Sequence, residues 1–88
     1  MRGMEVHLNG NKLCTAGIGT DGVLNTIVNV VSKEGEYDME MRVGGLKNNE
    51  FLKWSTHDLR LGDEIIVRII ETDSIDPPAE RKPNVAEP

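Results

Sequence analysis

The sequence predicts a mostly β fold, a small antiparallel β-sandwich or barrel of about six strands. Three observations carry that expectation. Apolar and polar residues alternate with period two in several short segments, as they do in half-buried strands. Asn-Gly and Glu-Gly dipeptides separate such segments at hairpin spacing. The longest apolar stretches are rich in β-branched residues, which suit a pleated surface better than a helix.

Residues 4–8, MEVHL, alternate cleanly and are followed by Asn9, Gly10 and Asn11, residues that tolerate the positive φ of a primed turn. With Asn9–Gly10 as the loop, Val6 faces Leu13; with Gly10–Asn11, His7 faces Cys14. Either register puts Met4, Val6, Leu8 and Leu13 on one face and His7, Lys12 and Cys14 on the other. A three-residue loop would reverse that assignment. Residues 16–22, AGIGTDG, form a glycine-rich link.

Residues 23–33, VLNTIVNVVSK, decide the architecture. Six of the nine residues from Val23 to Val31 are β-branched, and two others are asparagines that a helix interior disfavours. A two-residue Glu34–Gly35 loop sets Val30 opposite Met39, Val28 opposite Met41 and Ser32 opposite Tyr37, with Asp38, Glu40 and Arg42 on the other face. The strand reading is therefore preferred. The alternative is a helix with Val23, Leu24, Ile27, Val28 and Val31 as its apolar stripe. In that case the order hairpin–helix–strand–strand–strand over residues 4–71 resembles the β-grasp, or ubiquitin-like, superfold, an α+β arrangement.

Residues 37–43 alternate as a strand, GGLKNN (44–49) reads as a loop, and EFLKWS reads as a short strand with Leu52 and Trp54 on one face and Phe51 and Lys53 on the other. The polar run around Ser55 and His57 leads through Leu59, Leu61 and Gly62–Asp63 to EIIVRIIE (64–71). That last strand is apolar on both faces apart from Arg68, which predicts a position inside the sheet or across the core. The domain is thus expected to span residues 1–72, with 73–88, a proline-rich segment of mixed charge, as a disordered or loosely draped tail.

Composition narrows the function. A chain of this size builds a modest core, and a deep catalytic cleft with supporting residues is hard to house in it. Fifteen acids against ten bases give a net charge of −5 with no basic stripe, which argues against a nucleic-acid partner. Cys14 is the only cysteine, as suits a reducing compartment, and no apolar run reaches bilayer-spanning length. A cytoplasmic protein without membrane, metal or cofactor is the expectation.

Candidate chemistry is thin. Ser55, His57 and Asp58 hold the ingredients of a hydrolytic triad, but neighbours on an extended chain point in different directions, whereas triad side chains must converge. His7 and Cys14 become cross-strand neighbours in one register, without further ligands at metal spacing or an orienting third group. Gly17, Gly19 and Gly22 spell GxGxxG, yet a hairpin precedes them where a dinucleotide fold needs a parallel strand. The expected function is a small acidic non-enzymatic module that binds another protein, or itself, through sheet edges and the 34–40 and 44–51 loops. Phe51, Glu36, Glu40 and Lys47 are its candidate contacts. Inhibitors and immunity-type partners share this size and charge. The alternative is a small-molecule binder using Gly17, Gly19 and Gly22; an enzyme ranks last.

Overall fold

In the computed structural model, which describes residues 1–19 and 21–84, the chain folds into seven strands. They are β1 (Arg2–Leu8), β2 (Asn11–Gly17), β3 (Val23–Lys33), β4 (Glu36–Lys47), β5 (Glu50–Asp58), β6 (Ile65–Glu71) and β7 (Glu80–Pro83). All pairings are antiparallel, in a three-stranded sheet ordered β2-β1-β6 and a four-stranded sheet ordered β3-β4-β5-β7. Together the sheets make a small β-sandwich. No helix occurs among the described residues, so residues 23–33 are a strand and the helical, β-grasp alternative is set aside.

Three two-residue turns set the hairpins. Asn9 and Gly10, Glu34 and Gly35, and Asn48 and Asn49 all adopt positive φ, with values from 51° to 81°. Such primed turns match the right-handed twist of the strands they join. The β3–β4 register is the one the sequence predicts, with Val28 opposite Met41, Val30 opposite Met39 and Ser32 opposite Tyr37. Gly44 and Gly45 do not form a loop; they continue β4, and the connection shrinks to Asn48–Asn49. Their missing side chains let neighbouring strands close in. A Cβ on Gly44 would sit 2.7 Å from the Leu52 carbonyl oxygen, and one on Gly45 would collide with the Val23 carbonyl oxygen.

Two bulges overturn the simple alternation. Val6 pairs with Cys14 while His7 pairs with Lys12, which leaves Leu13 as an extra residue in β2. Asn9–Gly10 is the loop, but beyond the bulge the faces swap. Cys14 and Ala16 join Val6 in the core, whereas His7 stays on the outside. In β5, Val43 pairs with Ser55 and Gly44 with Lys53, so Trp54 is the extra residue. Leu52 and Trp54 both face inward as expected. The buried core is Val6, Cys14, Ala16, Met41, Val43, Leu52 and Trp54.

The proline-rich segment also departs from expectation. Residues 73–84 are held to the sandwich by hydrogen bonds, and Glu80–Pro83 pair with β5. Residues 85–88 lie outside the described part. The largest difference concerns β6. Its two apolar faces suggested a central strand, yet it stands at the edge of the three-stranded sheet with Ile66, Val67 and Ile69 exposed.

Candidate interaction surface

One side of the sandwich is sealed. The chain leaves β6 at Thr72, whose N–H donates to the Met1 carbonyl at 2.8 Å. It then passes along the free edge of β2. There the Asp76 N–H donates to the Thr15 carbonyl at 2.9 Å, and the Thr15 N–H donates to the Asp76 carboxylate at 2.8 Å. The Trp54 indole N–H donates to the Asp76 carbonyl at 2.7 Å, so the strap is tied to both sheets at one residue. Ile75 packs on the core, and β7 covers β5 with only four residues before a proline-ended stop. Prolines and short edge strands are the usual means of blocking further strand addition.

The opposite side is open. β2 lies against β5, and Thr26 of β3 reaches Met4 of β1, donating to its sulfur at 3.5 Å. The order β2-β1-β6 therefore runs in the same direction as β5-β4-β3, which brings the β6 and β3 edges to the same side. Cross-strand partners share a face. Val28 and Val30 accordingly share the inner face of Met41 and Met39, and Val67 and Ile69 share that of Val6 and Met4. Inner-face residues belong in a core, but Val30 is 62% exposed and Ile69 66%. β3 runs for 11 residues with Lys33 as its one charge and no proline. It is the kind of long apolar edge that invites another strand.

The outer face of the four-stranded sheet carries a groove of about 480 Å³ beside β3. Val23, Ile27, Leu46 and Phe51 supply its apolar surface over a floor of Gly44 and Gly45. Lys53 and Lys82 stand at its rim, Lys53 paired with Glu80 at 3.2 Å. Phe51 is half exposed and lies opposite Leu46. The other sequence candidates are dispersed: Glu36 sits at the tip of the β3–β4 hairpin, Glu40 pairs with Arg42 at 3.5 Å, and Lys47 is half-buried at the end of β4. No signal in the alternation pointed to Val30, Val67 and Ile69, because inward-facing residues read as core until the neighbours are known.

Two glycines of the link, Gly17 and Gly22, sit where a side chain would collide. Side chains from Ile75 and Met1 fill the space beside Gly17, Met1 lies beside Gly19, and a Cβ on Gly22 would sit 2.6 Å from the Leu46 carbonyl. In β5 the register sets Ser55 and His57 on the inner face and Asp58 on the other. Leu59 packs on the core, but Leu61 is 91% exposed at the tip of a turn, where Gly62 takes a φ of 90° and the Asp63 N–H donates to the Arg60 carbonyl at 3.1 Å. Asp63 in turn accepts from the Asn9 side-chain amide at 2.9 Å. That contact, with the Arg60 N–H as a second donor, holds its carboxyl below the usual range.

His7 and Cys14 lie on opposite faces of the β1–β2 hairpin, His7 outside and Cys14 in the core. On the outer face His7 Nε2 hydrogen-bonds the Glu5 carboxylate at 2.8 Å, and that bond lowers the Glu5 carboxyl. Burial pushes the Cys14 thiol up, and the Asp76 carboxylate adds to it, which keeps the group protonated and poorly nucleophilic. Among the described residues no group of three or more His, Cys, Asp or Glu is placed to hold a metal. The chain matches no family model, no curated protein and no solved structure.

Proposed function

We propose that the chain is a non-enzymatic interaction module that takes up an extended segment of another protein along the open side of its sandwich. The observation that supports it is the pair of edges, β3 and β6, whose core-facing Val28, Val30, Val67 and Ile69 stand uncovered. An added strand would satisfy the free backbone groups of an edge and cover those side chains together, which is the mode of β-augmentation. Such an apolar seam on an acidic protein suits a partner with alternating apolar residues and a basic flank, because complementary charge speeds the encounter. An inhibitor or immunity-type role belongs to the same class. The lone buried thiol suits a reducing compartment, so the cytoplasm is the setting we propose.

The test begins with a partner recovered on the intact chain, then purified and titrated against it. Val30→Asp and Ile69→Asp are exposed changes that leave the described core intact. Each is expected to weaken binding by about tenfold or more, as burying an unpaired charge does. Unchanged affinity in both variants sinks the open-side reading. A loss confined to Phe51→Ala would move the contact to the outer groove.

A further inference from the structure

The residues of β3 themselves specify a partner. We propose that β3 pairs antiparallel with β3 of a second copy, about a twofold axis at Ile27, joining the two four-stranded sheets into one. This rests on the open-side reading and names the occupant of one of its two edges.

The argument starts from the hairpin. Lys33 and Glu36 flank the two-residue turn, so they exchange the first pair of backbone hydrogen bonds, and the pattern alternates from there. Val31, Asn29, Ile27, Asn25 and Val23 thus direct their N–H and C=O groups to β4. Leu24, Thr26, Val28 and Val30 direct theirs to the free edge. An antiparallel copy centred on Ile27 offers the matching set, with Val28 opposite Thr26 and Val30 opposite Leu24 of the second copy. All of these lie on the inner face.

The outer face fits in the same register. Ile27 meets Ile27, Val23 meets Val31, and Asn25 meets Asn29, so apolar and amide residues each find their own kind. Lys33 falls opposite Asp21 of the second copy, which gives the strand's one charge a counter-charge. A register shifted to centre on Val28 sets Ile27 against Asn29 and Val23 against Lys33. Centring on Asn29 sets Asn25 against Lys33, leaves Val23 beyond the overlap, loses the Lys33–Asp21 pair and brings the two acidic tips (Glu34, Glu36, Asp38 and Glu40) closer together. The Ile27 register, which overlaps residues 23–31 of the two strands, alone combines matched faces and paired charge.

Burial along β3 points the same way. Its inner face is half-buried at the root, at Leu24 and Thr26, and exposed toward the tip, at Val28 and Val30. Antiparallel pairing lays the exposed tip of each copy along the packed root of the other. It also carries each tip's valines toward the second copy's β6, whose Val67 and Ile69 are uncovered on the same inner face.

Sedimentation of the full chain is expected to show a species of twice the chain mass. Ile27→Lys changes an exposed outer-face residue and sets two cations across the axis, so it is expected to weaken the dimer by about a hundredfold. Lys33→Asp is expected to weaken it by about fivefold, and adding Asp21→Lys to restore it. Register is read by oxidation. Ile27→Cys alone should give a covalent dimer, while Asn25→Cys and Asn29→Cys should cross-link only when mixed. The buried Cys14 leaves the unaltered chain uncross-linked. A chain that stays monomeric at about 0.1 mM overturns the proposal, as does a dimer indifferent to Ile27→Lys or one cross-linked best through Asn29→Cys alone. If the chain is monomeric and Val30→Asp still weakens a purified partner, the open-side reading survives the loss of the second copy.

Discussion

The two sides of this sandwich solve the same problem in opposite ways. Each ends in a pair of sheet edges, β2 and β7 on one side, β3 and β6 on the other. On the first side the chain returns after β6, bonds to Thr15 through both the backbone and the carboxylate of Asp76, and finishes in a short strand with a proline. Nothing within the described residues returns over the second side, where the inward-facing Val28, Val30 and Ile69 remain half or more exposed. Blocking one pair of edges while leaving the longer, more apolar pair free is what supports the binding surface proposed above, since unprotected edges otherwise invite aggregation.

Substitutions on the two sides sharpen that contrast. Trp54→Ala on the sealed side should have the largest effect, about 3–5 kcal/mol of stability in denaturant unfolding, because it empties a core position and orphans the Asp76 carbonyl. Asp76→Ala should cost about 1–3 kcal/mol by leaving the Thr15 N–H without its acceptor, and it should speed labelling of Cys14 by a thiol reagent. A Cys14 that labels at the unaltered rate would mean that the strap does not guard that edge. On the open side, Val30→Thr should change stability by less than about 0.5 kcal/mol while weakening association.

Acid sharpens the contrast in another way. Glu5, held down chiefly by its hydrogen bond to His7, and Asp63, held down chiefly by Asn9, both bind protons less readily in the folded chain than in the unfolded one. Their contribution is therefore present above the ordinary carboxylate range and is lost as pH falls through it. Unfolding midpoints should drop over that window, and less so in Glu5→Gln and Asp63→Asn. A smaller effect is expected at the hairpin tip. Glu34 takes a φ of 54°, a region that costs an ordinary side chain about 1 kcal/mol, so Glu34→Asn should raise stability by about 0.5–1 kcal/mol. No gain there would show that the turn conformation is paid for elsewhere in the β3–β4 ladder.

Much of this was readable along the chain. The β3–β4 register followed from Glu34–Gly35 and the segregation of valines and methionines from Asp38, Glu40 and Arg42. Leu52 and Trp54 inward with Phe51 outward followed from alternation alone. The misreadings share one physical origin. Cys14 was assigned the wrong face because a bulge at Leu13 adds a residue that no local pattern announces. Gly44–Gly45 read as a loop because glycine permits turns, whereas here it allows two neighbouring strands to approach. The tail read as loose because its composition is loose, yet Ile75 and Asp76 find partners far away in sequence.

By itself the sequence favoured the all-β class over the helical alternative and set the Glu34–Gly35 hairpin, since strand periodicity and turn chemistry are properties of neighbouring residues. Only the tertiary structure decided which strands lie at edges. IIVRIIE is apolar on both faces whether it is central or peripheral, and its place depends on pairing with β1 and on the strap that leads away from it. The surface proposed for binding belongs to that second category. A valine that faces inward is core when a neighbour covers it, and a binding residue when that neighbour must come from another molecule.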